Sequence, residues 1–270
     1  MGSCTVSWSE DGYAKYNSLI NTTDLQNVEN AITRLYHTQC RKIYRDVPPD
    51  IISIVTAMET NDKEALCQCQ KFLPQCPAIR ELFNPDFVGF CASIFGGHKD
   101  STLVEGPGLF INTPGSKRLA YKWHTEALYY PKRRNFVNVW LPIFTNRTKD
   151  NGAMVLLPGS HKKVWDASLM SEYIGYDKDT ENKKNHFVQY EIPESMLKDY
   201  SRVVCEADRG DMYLFDRNIV HSSASNATDS VSFALVLRVW DFKDDLTLSG
   251  EMKVTPYSGQ DIGRAGLMVS

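Results

Sequence analysis

The chain carries His124 and Glu126 in the run Tyr121-Lys-Trp-His-Thr-Glu126, and a second histidine, His221, nearly a hundred positions downstream. Two imidazoles and one carboxylate are the donors that a facial Fe(II) site needs, because three ligands on one face leave the opposite positions open for substrate and oxygen. The one-residue spacing suits a strand. Alternate side chains of a strand point to the same face, so His124 and Glu126 can converge on one ion. The third ligand must then arrive from another strand. A His-x-Glu pair alone is weak evidence, since an isolated histidine is more often a hydrogen-bonded structural residue.

The elements that must position these groups change character along the chain. The first hundred residues read as helical: Thr23-Asp-Leu-Gln26 forms a capping-box pattern, and Leu25, Val28, Ile32 and Leu35 then recur at helical spacing. Further helices are expected near 62–73 and 77–95, with Pro77 near one start and Gly96-Gly97 as a stop. From about Leu103 the pattern is short strands separated by Gly, Pro and Asn turns, the texture of an all-β core. In residues 231–240, bulky Val231, Phe233, Leu235, Leu237 and Val239 alternate with Ser232, Ala234, Val236, Arg238 and Trp240. The bulky face is expected to pack against the helical layer, leaving the smaller face to line an interior. The competing reading is a half-exposed strand with Arg238 in solvent. Residues 164–204 are polar and poorly periodic, and are expected to form an insertion that folds over the site mouth as a lid.

Around the pair stand further segments in a fixed order. An apolar strand at 136–144 is followed by Asp150-Asn-Gly-Ala-Met-Val-Leu-Leu-Pro-Gly-Ser-His-Lys162, and Gly210-Asp-Met-Tyr-Leu-Phe215 leads into His221-Ser-Ser223 and Asn226. Over roughly residues 105–242 this order resembles the phytanoyl-CoA dioxygenase-like branch of the Fe(II)/2-oxoglutarate-dependent oxygenases. The resemblance implies a mainly β fold: a jelly-roll, cupin-like double-stranded β-helix with helices packed on it. One domain over 1–270 is expected, with a helical layer at 1–102, a β core at 103–242 and a C-terminal extension at 243–270.

By the same resemblance, His124, Glu126 and His221 are the metal ligands and catalytic centre, with Glu where most members have Asp. Fe(II), 2-oxoglutarate and O2 are implied as cofactor and co-substrates. The implied reaction is hydroxylation, or desaturation or ring closure by hydrogen abstraction, at an unactivated carbon of a small organic metabolite. A carboxylate ligand argues against halogenation, which uses its vacancy for halide. The family's anchor for the far carboxylate of 2-oxoglutarate stands eleven positions after the distal histidine, and that position here is Ser232. Arg238 is the nearest downstream cation and lies on the same strand face, but six strand residues span about 20 Å. Two readings stay open: Arg238 in a shifted register, which is the expectation adopted, or a cation from elsewhere, with Lys122, Arg134 and Arg147 as candidates. Ser223, Asn112 and Trp140 resemble co-substrate or pocket contacts. His161, in Pro158-Gly-Ser-His161, is expected to support the site indirectly or to brace its turn. Tyr129 and Tyr130 with Lys132-Arg133-Arg134 could shape a wall that selects an acidic substrate, although such a charge run is more often a solvated turn.

Composition bounds the rest. With 42% hydrophobic and 23% charged residues among 270, the chain reads as an ordinary globular protein with a substantial core. A net charge of −3 does not point to nucleic acid or an anionic membrane, and no apolar run reaches the length of a membrane span. The expected compartment is the cytoplasm and the expected partner a small molecule. Seven cysteines without a secretory start read as free thiols. Cys67-Gln-Cys69 with Cys76 lacks a fourth ligand for zinc. Two rival functions remain at this stage: a non-haem iron enzyme of the same fold that does not use 2-oxoglutarate, and a catalytically silent binding module.

Overall fold

A computed structural model describes residues 7–42, 44–115, 121–131, 133, 135–166, 171–174 and 188–244. In chain order its helices and strands are α1 (Trp8–Asp11), β1 (Tyr13–Tyr16), α2 (Thr22–Cys40), α3 (Ile51–Asn61), α4 (Lys63–Phe72), α5 (Pro77–Leu82), α6 (Pro85–Ile94), β2 (Thr102–Asn112), β3 (Phe136–Ile143), β4 (Met154–Leu156), β5 (Ser171–Ile174), β6 (Val188–Glu191), β7 (Val203–Val204), β8 (Met212–Asp216), β9 (His221–Ser223) and β10 (Ser232–Asp241).

The helical reading of the first hundred residues needs three corrections. Tyr13–Tyr16 is a strand that pairs antiparallel with β8 and forms one edge of the large sheet. α2 starts before the expected capping box, because the Asn21 side chain accepts from the Asp24 N–H at 2.9 Å and so caps the helix. The single helix expected over 77–95 is two, because Asn84 caps a new start and Pro85 lacks the N–H that would continue the old one. The apolar stripe of α2 is as the periodicity requires: Leu25, Val28, Ile32, Tyr36 and Cys40 are buried, three or four residues apart.

Two antiparallel sheets form the β core, in orders β1-β8-β3-β10-β2 and β7-β4-β9, with β5 and β6 as a separate ribbon. All eight residues of β3 are buried, since it has a packed layer on each side. β10 shows how the layers divide. Val231, Phe233, Leu235, Leu237 and Val239 join α2, α3 and the other helices in one apolar cluster. Ala234 and Val236 face the opposite way, toward Trp140, Tyr213, Met154 and Leu156 between the two sheets. Each of the larger buried side chains contributes about 1.5–3 kcal/mol. Arg238 lies on this inner face with its side chain only 12% exposed, which removes the solvent-strand alternative. The chain is therefore a double-stranded β-helix backed by helices.

Glu29 pins the two layers together. It is a buried carboxylate on α2 that accepts from Arg209 Nε and Nη2 at 2.6 and 2.7 Å and from the Phe144 N–H at 2.6 Å. Phe144 adopts a left-handed φ of 62°, an unfavourable conformation for its type, where β3 ends. The Glu29 bond and the packing of its ring on Phe233 at 5.0 Å hold it there. Glu29→Ala should lower unfolding free energy by about 1.5–3 kcal/mol, since charge-assisted bonds are lost while Arg209 can reach water. A urea titration showing no change would mean that the layers are held by apolar packing alone.

Candidate metal centre

His124 and His221 are joined by an isolated β-bridge, each N–H donating to the other's carbonyl at 3.0 and 2.9 Å. On its other side, His221 pairs with Leu156 of β4. The expected placement of His124 and Glu126 on one strand is corrected here. Thr125 is extended, but Glu126 opens a 3₁₀ turn, Glu126–Leu128, fixed by the Ala127 N–H donating to the Arg217 carbonyl at 3.0 Å. The extended Thr125 puts the two side chains on one face, and the turn then carries the chain away.

Both imidazoles are oriented in the same way. His124 Nδ1 lies 2.6 Å from the Lys122 carbonyl oxygen and His221 Nδ1 lies 3.1 Å from that of Ile219. A carbonyl can only accept, so each Nδ1 carries the proton and each Nε2 keeps its lone pair. The two Nε2 atoms stand 3.9 and 3.7 Å from Glu126 Oε1, and the three donor atoms lie within 4.8 Å of one another. Glu126 Oε2 is taken by Arg238, whose Nε and Nη2 donate to it at 2.9 and 2.7 Å.

Burial, reinforced by the neighbouring His221 ring, pulls His124 down to about 3. Burial opposes the charge on Glu126, but the Arg238 guanidinium against it holds the carboxyl well below the usual carboxylate range. A neutral imidazole at His124 and an ionised carboxylate at Glu126 are the protonation states that a divalent cation requires of such ligands. The donor set therefore fits a transition-metal ion held by two nitrogens and one oxygen.

Aromatic rings surround this centre. Tyr121 and Tyr129 lie 5.7 and 5.8 Å from the His124 ring, and Phe215 lies 5.0 Å from that of His221. The segment expected as an insertion reaches the same wall. The Tyr190 N–H donates to Tyr129 Oη at 3.3 Å, and the Ile192 N–H donates to the Trp123 carbonyl at 2.7 Å.

The other sequence-level candidates divide. Arg238, expected as the co-substrate anchor, has its guanidinium on the Glu126 carboxylate. The Lys122 ammonium is half exposed and pairs with Glu191 at 2.5 Å; its backbone carbonyl is what touches the centre. Asn112 is buried, with Nδ2 toward the Ala224 carbonyl at 3.4 Å, and a Cβ on Gly152 would stand 2.0 Å from that atom. Trp140 is buried between the sheets, and Ser223 of β9 pairs with Met154 of β4.

His161 is not at the centre. Its buried Nδ1 has no hydrogen-bond partner and its ring packs over Gly12. Ser160 braces that turn, with Oγ donating to the Leu157 carbonyl and accepting from the Val220 N–H. Arg133, read as part of a solvated charge run, is paired with Glu105 and lies over the Tyr130 and Trp240 rings; Lys132 and Arg134 lie outside the described residues. Sequence reasoning missed Tyr190 and the Arg238–Glu126 pair, for which no local pattern gives a signal.

A double-stranded β-helix with two imidazoles and a carboxylate converging between its sheets defines a cupin-like metal-site protein. A family model described as phytanoyl-CoA dioxygenase (PhyH) matches residues 8–232, and the chain belongs to that family. The match includes most of the helical layer, more than the motifs alone reach. Human peroxisomal phytanoyl-CoA dioxygenase is 22% identical over 244 residues, covering 84% of this chain and 64% of that protein. A probable phytanoyl-CoA dioxygenase of Caenorhabditis elegans is 26% identical over 192 residues, covering 68% and 57%. The chain thus spans less than two thirds of the length of these relatives. Among solved structures, the non-heme alpha ketoglutarate dependent carbocyclase SnoK from nogalamycin biosynthesis is similar with a TM-score of 0.57 at 16% identity, covering 89% of this chain and 87% of that one. EvdO2 from Micromonospora carbonacea var. aurantiaca, complexed with 2-oxoglutarate, gives 0.55 at 15% identity, covering 89% and 94%. At such identities the likeness is one of fold.

Arg238→Met should weaken divalent-metal affinity about 10–100-fold, as loss of an orienting partner does, and Glu126→Ala should abolish tight binding. Titration with Co(II) checks both; an unchanged affinity in Arg238→Met would show that the carboxylate orients itself.

Proposed function

We propose that this protein is an Fe(II)/2-oxoglutarate-dependent oxygenase that oxidises an unactivated carbon of a small organic molecule. The observation that carries the reading is the convergence of His124 Nε2, His221 Nε2 and Glu126 Oε1, with both Nδ1 protons fixed on backbone carbonyls and Glu126 Oε2 engaged by Arg238. Two nitrogens and one oxygen on one face suit ferrous iron and leave positions for other ligands. When bound there, iron would supply the activation of dioxygen, coupled to oxidative decarboxylation of the 2-oxo acid.

The chain's own residues do the remaining work. Arg238 limits Glu126 to one ligating oxygen, and the carbonyls of Lys122 and Ile219 keep the imidazoles from rotating. Tyr121, Tyr129 and Phe215 surround the centre with apolar surface that excludes water from the reacting carbon. The presence of Glu126 favours hydroxylation, desaturation or ring closure over halogenation, which needs that ligand position vacant. Family membership supports the same chemistry, as do the 2-oxo acid dependence of SnoK and the 2-oxoglutarate bound to EvdO2.

In this reading residues 188–192 of the expected insertion cover the site as part of a lid, supported by the contacts of Tyr190, Glu191 and Ile192 with the metal-bearing segment; residues 167–170 and 175–187 lie outside the described residues. No described helix is long and apolar enough to cross a membrane. The cytoplasm is the compartment proposed, supported by the free thiols of Cys40, Cys76, Cys91 and Cys205.

Purified protein given Fe(II), 2-oxoglutarate and oxygen should release succinate, slowly without substrate. A chelator should stop the release and added Fe(II) restore it. His124→Ala and His221→Ala should each reduce it by at least about 100-fold, since each removes one of only three protein ligands. Full succinate release by either variant would refute the assignment.

A further inference from the structure

Arg147 is a buried cation for which the described residues supply no anion. It is 3% exposed, and burial brings its pKa down to about 10. Nη1 donates to the Asn151 carbonyl at 2.9 Å and to Ser232 Oγ, while the buried Nε has no hydrogen-bond partner. No described carboxylate lies within ion-pair distance of it, whereas the nearby Lys15 pairs with Asp211 and Arg209 with Glu29. An isolated buried charge costs several kcal/mol unless an opposite charge joins it.

The placement of the guanidinium suggests what joins it. Arg147 leaves the end of β3 on a backbone bridge to Ala207, and its guanidinium stands 5.8 Å from the Trp140 ring on the inner side of the large sheet. It meets Ser232, the first residue of β10, on the face shared with Ala234, Val236 and Arg238. Ser232 Oγ donates to the Asn151 carbonyl at 2.6 Å, so the small side chain helps seat the arginine. Arg238, at the other end of that face, already has its charge balanced by Glu126.

We propose that Arg147 binds the distal carboxylate of a 2-oxo dicarboxylate whose other end chelates the metal, its guanidinium reaching from the β3–β4 connection to the position that Ser232 leaves open. This rests on the oxygenase reading above and assigns the anchor to Arg147, one of the alternative cations that the sequence left open, and not to Arg238 of β10. The fork geometry of Arg suits a carboxylate, and the unsatisfied Nε is one of the donors available to it.

Anaerobic calorimetric titration of the Fe(II)-loaded protein with 2-oxoglutarate and with pyruvate tests it, because pyruvate has the chelating end and no distal carboxylate. Arg147→Gln should weaken 2-oxoglutarate binding about 100-fold, as removal of a buried charged partner does, with Fe(II) and pyruvate affinities unchanged. The double variant Arg147→Ser/Ser232→Arg, which returns a guanidinium from β10, should recover most of that loss. If Arg147→Gln fails to fold, Arg147→Lys should show about a tenfold loss confined to 2-oxoglutarate, because the charge remains without the fork. Unchanged 2-oxoglutarate affinity in the Arg147 variant that folds, or an equal loss for pyruvate, would overturn the assignment of Arg147. Wild-type protein that binds Fe(II) but not 2-oxoglutarate would instead remove the oxygenase reading, and this proposal with it.

Discussion

The carboxylate of Glu126 is a charge placed where water scarcely reaches, and an ion in such a position survives only if opposite charge and donors surround it. Arg238 provides the first requirement by placing two N–H groups on one oxygen. The other oxygen is left facing two imidazole nitrogens that cannot donate to it while their protons stay on backbone carbonyls. The result is an arrangement in which three lone-pair donors point at one common space, the disposition that a cation needs. The bridge between His124 and His221, the turn at Glu126 and the inward face of β10 all serve to hold that space open.

The fold meets this demand by giving the sheet two unlike sides. The bulky face of β10 lies against the helices, where apolar burial stabilises the molecule and the buried Glu29 carboxylate is paired with Arg209. The inner face can then be sparsely filled, because it is not responsible for most of the packing. Small residues at 232 and 234 leave room between the sheets, and two arginines occupy the ends of the same face. Only one of these has a carboxylate partner among the described residues. That asymmetry separates a cation that shapes the metal ligand from one that is available to a bound anion.

Much of this was legible in the residues. The alternation in 231–240 fixed which face of that strand would meet the helices, because side chains in a strand alternate without exception. The trio that the fold brings together could be named from the resemblance that the surrounding segments carry. The helix ends were less legible, because Asn21 and Asn84 compete with nearby residues for capping and only the packed structure decides which one wins. β1 was missed for a related reason: four residues carry little pattern, and their strand conformation depends on β8, some two hundred positions away.

Residue types and short-range periodicity determined that two imidazoles and a carboxylate were available and that helices precede a β core, and the resemblance carried by the ordered segments pointed to the layered β fold that could hold them. Only the tertiary structure decided which cation faces which anion. Arg238 and Arg147 look alike in the sequence, and their roles differ because one is brought against Glu126 and the other against a serine. Pairing between groups far apart in the chain depends on register and strand order, and no local pattern encodes either.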